Sequence, residues 1–378
     1  MIIGIDVKEL SKGHAGISVY IESMLDWFHE LDADNQYILI SNRDFQMKPN
    51  WSRCKKVLYK AIITGSIGVC FQLRKIIKEN NIEVFWGPEH CIPLNNVTCK
   101  RIVTIHDLAV ILNPSWGTTY NSILQRFMVK NSIHKADEVI AISNSTKNDI
   151  IKLFNIDPIK VSVIYNGDSP YNHERRNFSD EKIEQIKNKY GVGKSFFLYC
   201  GTIEPRKNIT SIIKAFELLK SNNLNNRDQL ILCGGLGWKY DPILACIDQS
   251  DFKKDIIRTG FVIEEEKEFF YTFAKALIFP SFYEGFGLPV IEAMSCGTPV
   301  ITANNSSLPE VGGKAALYVD PADNIEQLKN YMQMMDNLTE QQLNDLRKNS
   351  AAQAKKFSRK TCAEQILSVF EKVALNNE

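Results

Sequence analysis

The chain has 378 residues, with 45 basic and 44 acidic side chains and a net charge of +1. That balance exerts no global pull on nucleic acid, so any anion site has to be local. The length exceeds what one hydrophobic core usually organises, 44% apolar residues can fill two cores, and nine scattered cysteines without a C-x-x-C pair argue against a disulfide framework or a zinc site and point to a reducing compartment.

In chain order, Met1–Asp6 is too short for the apolar region of a signal peptide, and no later apolar run approaches about 20 residues. The expectation is therefore a cytoplasmic chain, or one resting peripherally on the inner face of the membrane. Ile2–Asp6, Tyr37–Ile40, Val57–Tyr59, Val84–Trp86, Ile102–Ile105, Glu138–Ile142 and Val161–Tyr165 read as short strands separated by amphipathic stretches. Asn166-Gly167-Asp168-Ser169-Pro170 is a dense turn signal, and the polar residues after it place a linker at 171–194. The rhythm resumes at Phe196–Cys200, Gln229–Cys233, Ile256–Gly260, Ala276–Phe279, Val300–Thr302 and Leu317–Val319, and apolar residues return at helical spacing over Thr361–Leu375. Strands alternating with helices imply parallel sheets covered on both faces. The predicted fold class is α/β with two doubly wound, Rossmann-like domains, residues 1–170 and 195–356, followed by a helix within 357–378. Ligands of such sheets bind beyond the carboxyl ends of the strands.

Several motifs sit at those ends. Gly13-His14-Ala15-Gly16-Ile17-Ser18 opens a helix, His106-Asp107 closes a strand, and Cys200-Gly201-Thr202-Ile203-Glu204-Pro205-Arg206-Lys207-Asn208 carries two cations to the start of a helix, where the dipole disfavours positive charge. Asp32-Ala33-Asp34 precedes a strand in a polar turn, so it reads as a turn and no metal is predicted. Cys233-Gly234-Gly235-Leu236-Gly237 lacks a third glycine at the offset of a dinucleotide fingerprint, and the acid about 20 residues on. Between Arg43 and Lys78 nine Lys and Arg residues face one acid, Asp44, with Ile67, Val69, Phe71, Leu73, Ile76 and Ile77 interleaved. That segment is either a solvated face or a surface for contact with an anionic membrane.

The densest stretch runs from Phe279 to Ile301. Gly285 and Gly287 allow close backbone approach, Leu288-Pro289 starts a helix whose amino end suits phosphate, and Glu292 lies one turn in, where a carboxylate can accept ribose hydroxyls. By itself Gly-Phe-Gly reads first as an ordinary βα turn. The whole segment, with Glu284 and Glu292 separated by seven residues, resembles the E-x7-E motif of family-4 retaining glycosyltransferases of the GT-B fold, and Ser306–Gly313 and Tyr318–Pro321 extend the likeness.

The resemblance implies a nucleotide-diphospho-sugar donor, no cofactor, and a C-terminal helix at 357–378 that crosses back to the first domain; by pattern alone the helix could equally stay on its own domain. It implies that Arg206 and Lys207 neutralise a departing diphosphate, that Glu284 and His106 position the donor sugar with Asp107 orienting the imidazole, and that Glu292 holds ribose. Donor binding would further involve Gly16, Gly201, Gly285, Phe286, Gly287 and Leu288, with Val262 at a base-contacting strand end. Gly4-Ile5-Asp6, Trp86-Gly87-Pro88 and Pro93-Leu94 look like those of bacterial mannosyl- and rhamnosyltransferases of surface polysaccharide assembly. The expected reaction is metal-independent hexosyl transfer, from GDP-mannose sooner than from a UDP-sugar, to a glycan or lipid-linked glycan. A sugar-nucleotide epimerase and a non-catalytic glycan-binding protein remain the alternatives.

Overall fold

The computed structural model describes residues 1–13, 16–60, 66–117, 119–167 and 177–375. The chain forms two compact units, Met1–Gly167 with Ser358–Glu378, and Asp168–Phe357.

Seven strands form the first sheet: β1 (Ile2–Asp6), β2 (Gln36–Ser41), β3 (Cys54–Leu58), β4 (Val84–Gly87), β5 (Lys100–Ile105), β6 (Glu138–Ala141) and β7 (Val161–Val163). All pairs are parallel and the order is β3-β2-β1-β4-β5-β6-β7. The second sheet holds β8 (Phe196–Cys200), β9 (Gln229–Cys233), β10 (Ile256–Gly260), β11 (Leu277–Phe279), β12 (Val300–Ala303) and β13 (Ala316–Val319), in the parallel order β10-β9-β8-β11-β12-β13. Each order reverses once, between β1 and β4 and between β8 and β11, which gives each unit a switch point at its strand ends.

Central strands are buried along their length because helices cover both faces; β8 exposes none of its five residues. The edge strand β3 differs. Lys55 and Lys56 lie on it, and charges there discourage a further strand from pairing. Leu73, Ile76 and Ile77, from the basic segment 43–78, are core residues, whereas the side chains of Ile67, Val69 and Phe71 lie outside the described residues.

The segment expected as a linker contains a helix, Asp180–Tyr190, capped by Ser179 and closed by left-handed Gly191. It is fastened to the second unit where Lys189 and Tyr190 hold Glu266 at 2.7 and 2.6 Å. The final helix, Arg359–Leu375, belongs to the first unit. Its Cys362, Ala363, Ile366, Val369, Phe370 and Val373 share a core with Phe28 and Trp86, and the Phe370 ring lies 5.7 Å from both aromatic rings.

Candidate active site

In the second unit, the strand ends are laced together by loops too close for side chains. A Cβ on Gly234 would fall 2.1 Å from the Gly201 carbonyl oxygen, and both glycines have strongly positive φ, 143° and 145°. Gly201 N–H donates to Cys233 O at 2.9 Å and Gly234 N–H to Gly260 O at 3.0 Å, so the ends of β8, β9 and β10 are mutually bonded.

Beyond β8, Pro205–Lys207 forms a short 3-10 turn and Asn208 takes a left-handed conformation that Asn tolerates. The Asn208 amide donates to the carbonyls of Pro280 and Ala322, and Phe282 N–H donates to Arg206 O, which fixes the turn against the end of β11. Arg206 and Lys207 are thereby held on one carboxylate: the Arg206 guanidinium is 3.1 Å and the Lys207 ammonium 2.5 Å from separate oxygens of Glu284. Arg206 also donates to Tyr283 O at 2.7 Å and to Glu204 at 2.8 Å. Lys207 and Glu284 are buried, and the Lys207 ammonium sits 5.1 Å from the Phe279 ring centre. Burial on its own would raise the Glu284 carboxyl, but Lys207 and Arg206 outweigh it and hold the group below the ordinary carboxylate range. Two cations and two carboxylates thus form a compact, charge-balanced cluster.

The glycine loop then enters the helix Leu288–Ser295 through left-handed Gly287, with Pro289 in its first turn. Ser307 Oγ donates to the carbonyls of Glu284 and Phe286 at 2.9 and 2.8 Å, and Ser306 Oγ accepts from Glu284 N–H. Gly285 and Gly287 are buried and Leu288 half-buried. The Phe286 side chain packs into the core against Phe357, so only its backbone can face a ligand. Val262 likewise buries its side chain, beside exposed Phe261. Glu292 accepts from Tyr271 at 2.7 Å and pairs with Lys267 at 3.2 Å. Burial opposes charge on Lys267, yet Glu292 and then Glu264 keep its ammonium protonated well above the usual range.

His106 lies in the other unit, after β5. Its Nε2 is 2.7 Å from Pro88 O, and because a carbonyl only accepts, Nε2 carries the proton and Nδ1 keeps its lone pair. Burial and then neighbouring His90 push its pKa down to about 4, so the ring is neutral at physiological pH. Tyr20 stands edge-on at 5.1 Å. The Asp107 carboxylate accepts from Ala109 N–H at the start of the next helix, and its charge acts on the neighbouring His106 ring. Gly16 caps the helix Ile17–Leu31 at an exposed position, and the adjoining His14 and Ala15 lie outside the described residues. Asp32 of the Asp-Ala-Asp tripeptide accepts from the backbone of Asp34 and Asn35 and from Tyr37, which makes it a turn residue.

Glu204, Lys267 and Tyr271 were not legible as site residues. Lys267 and Tyr271 act on Glu292 from 25 and 21 residues away, whereas Glu204 pairs with Arg206 only two residues on and lies in a run that did carry a local signal.

Residues 16–168 match the model of Glycosyltransferase Family 4, and residues 180–357 match that of Glycosyl transferases group 1. The O-antigen chain mannosyltransferase B of Escherichia coli is 30% identical over 76% of this chain and 74% of its own length. The chain belongs to the family-4 glycosyltransferases. The O-antigen chain mannosyltransferase RfbU of Salmonella typhimurium is 32% identical to this glycosyltransferase over 70% of the chain and 71% of that protein. The sucrose-phosphate synthase structure from Thermosynechococcus elongatus superposes with a TM-score of 0.80, covering 99% of both chains at 16% identity, which establishes the GT-B fold alone. Expectation and structure agree on family and fold.

Proposed function

We propose that this glycosyltransferase moves a mannosyl residue from GDP-mannose to a hydroxyl of a glycan or lipid-linked glycan in surface polysaccharide synthesis, with retention and without a metal. The observation that carries the proposal is the cluster of half-buried Arg206 with buried Lys207 and Glu284 at the carboxyl ends of β8 and β11. Both relatives described above, which are mannosyltransferases by name, favour the sugar.

In this reading the bond between the sugar's anomeric carbon and the diphosphate oxygen breaks while the acceptor oxygen bonds to that carbon on the same face. The acceptor's proton passes to the departing diphosphate. Arg206 supplies a planar fork and Lys207 a point charge to the oxygens where negative charge develops. Glu284 holds both cations in place before the donor arrives and receives sugar hydroxyls afterwards. Glu292, backed by Lys267 and Tyr271, accepts ribose hydroxyls, and neutral His106, whose Nε2–H is committed to Pro88 O, offers the sugar hydroxyl the lone pair of Nδ1.

The deciding experiment incubates the purified chain with GDP-mannose and with UDP-hexoses, following nucleotide release, thermal stability and the product's anomeric configuration. GDP release with an α-linked product in chelator supports the reading. Stabilisation and turnover confined to a UDP-hexose would overturn the donor assignment, and a β-linked product the retention.

A further inference from the structure

The strand order of the first sheet reverses between β1 and β4, so the loops leaving those two strands part at the place where parallel sheets receive ligands. Asp6 ends β1 and Lys8 lies just beyond it, while Glu89 and His90 follow β4. Lys8 joins the two loops: its ammonium is 3.0 Å from Glu89 and 3.5 Å from Asp6, and its backbone N–H donates to Asp6 Oδ1 at 3.1 Å. Asp6 is buried, and Lys8 and Glu89 are half-buried. Burial opposes charge on Lys8, but Asp6 and then Glu89 outweigh it and keep the ammonium protonated well above the usual range.

The loop after β4 is held in an unusual conformation. A Cβ on Gly87 would lie 2.0 Å from Cys91 O, and half-buried His90 takes a left-handed φ of 53°, which a bulky residue rarely adopts. His90 N–H donates to Thr104 O of β5 at 3.0 Å, and its ring centre is 5.8 Å from that of His106. Burial pushes the His90 pKa below the ordinary histidine value, so the ring is neutral at physiological pH. Its Nδ1 is buried and meets no hydrogen-bond partner. A buried N–H without an acceptor is costlier than a bare lone pair, so Nδ1 keeps the lone pair and Nε2 carries the proton. A strained backbone beside an unsatisfied ring nitrogen marks a place shaped for a ligand rather than for packing.

The crevice offers two carboxylates, one ammonium and a neutral imidazole. Carboxylates only accept and an ammonium only donates, whereas a sugar hydroxyl does both, so adjacent hydroxyls of a pyranose can bridge from one kind of group to the other. An anionic ligand is disfavoured, because the single cation is already shared by two carboxylates. We propose that Asp6, Lys8, Glu89 and His90 form a subsite for the vicinal hydroxyls of an uncharged pyranose, the acceptor sugar of the transfer reading on which this assignment rests. None of the four is among the donor-contacting residues.

The test follows the imidazole nitrogens of the full chain, labelled at histidine, by NMR as methyl α-D-mannopyranoside is added without any donor. The His90 signals are expected to move saturably while those of exposed His134 stay, and mannose 6-phosphate should bind at least roughly tenfold more weakly, since its charge meets the two carboxylates. Both titrations use the wild-type chain and need no variant to fold. Glu89→Gln keeps the side chain's shape, removes its charge and should weaken the mannoside about tenfold, the value of one hydrogen bond to a charged group. An unmoved His90 at the solubility limit of the mannoside, unchanged affinity in Glu89→Gln, or mannose 6-phosphate binding as tightly as the mannoside overturns the subsite, whether or not GDP stabilises the chain. Mannoside binding at His90 in a chain that ignores GDP and GDP-mannose supports the subsite and removes the transfer reading instead.

Discussion

Glu284 is a carboxylate removed from water and kept ionised by Lys207 and Arg206, which makes each member of the cluster sensitive to loss of another. Lys207→Ala is expected to cost about 2 kcal/mol in urea unfolding, the scale of a charged hydrogen bond, and to reduce transfer more severely than it reduces stability. Because the folded pKa of Glu284 lies below the ordinary value of 4.5, the unfolded chain takes up the proton first as pH falls. The stabilisation is therefore complete above the ordinary carboxylate range and lost toward the folded value. Glu284→Gln should flatten that acid limb, measured as unfolding free energy against pH. His106 is also lowered, from 6.5 to about 4, and the sign is the same: its contribution is full above pH 6.5 and declines as pH falls toward 4. An NMR titration should find its Nε2–H tautomer still neutral at pH 5.5; an imidazolium there would refute the assignment.

Among the elements, the βα turns carry the site, and their glycines are constrained by neighbours distant in sequence. Gly234→Ala forces a Cβ onto the Gly201 carbonyl at a φ that L-residues rarely adopt. The turns after β8 and β9 must separate, so we expect a loss of about 3 kcal/mol in stability, as for other strained backbone positions, together with weakened nucleotide binding. Gly235→Ala is the control, because a Cβ there meets nothing within 4 Å; calorimetry with and without GDP distinguishes the two. The strands themselves were legible as apolar runs between turn residues. Only β3 extended well beyond its reading, from Val57 back to Cys54, because Lys55 and Lys56 hid a strand whose edge position admits charge. The helix Asp180–Tyr190 was hidden in the same way: with one fully buried residue, Ile186, it carries little apolar pattern.

At the scale of the molecule, the chain leaves the first unit at Gly167 and re-enters at Ser358, and the two points touch: a Cβ on Gly167 would lie 2.2 Å from Arg359 backbone atoms. Deleting residues 358–378 therefore strips an aromatic and several aliphatic side chains from the first core, including Phe370, whose truncation alone should cost about 3–5 kcal/mol. The expected result is a first unit that binds a hydrophobic dye and yields to protease within 1–167, while the second unit still melts cooperatively; a fully protected first unit would contradict the packing described.

Strand rhythm, turn punctuation and the Glu284–Glu292 spacing are local properties of the chain, so the doubly wound class and the family followed from residue order. Which carboxylate holds which cation, and which residues of the final helix pack into the first core, followed from folding alone. Those outcomes depend on contacts between residues tens to hundreds of positions apart, and nothing in a local pattern encodes them.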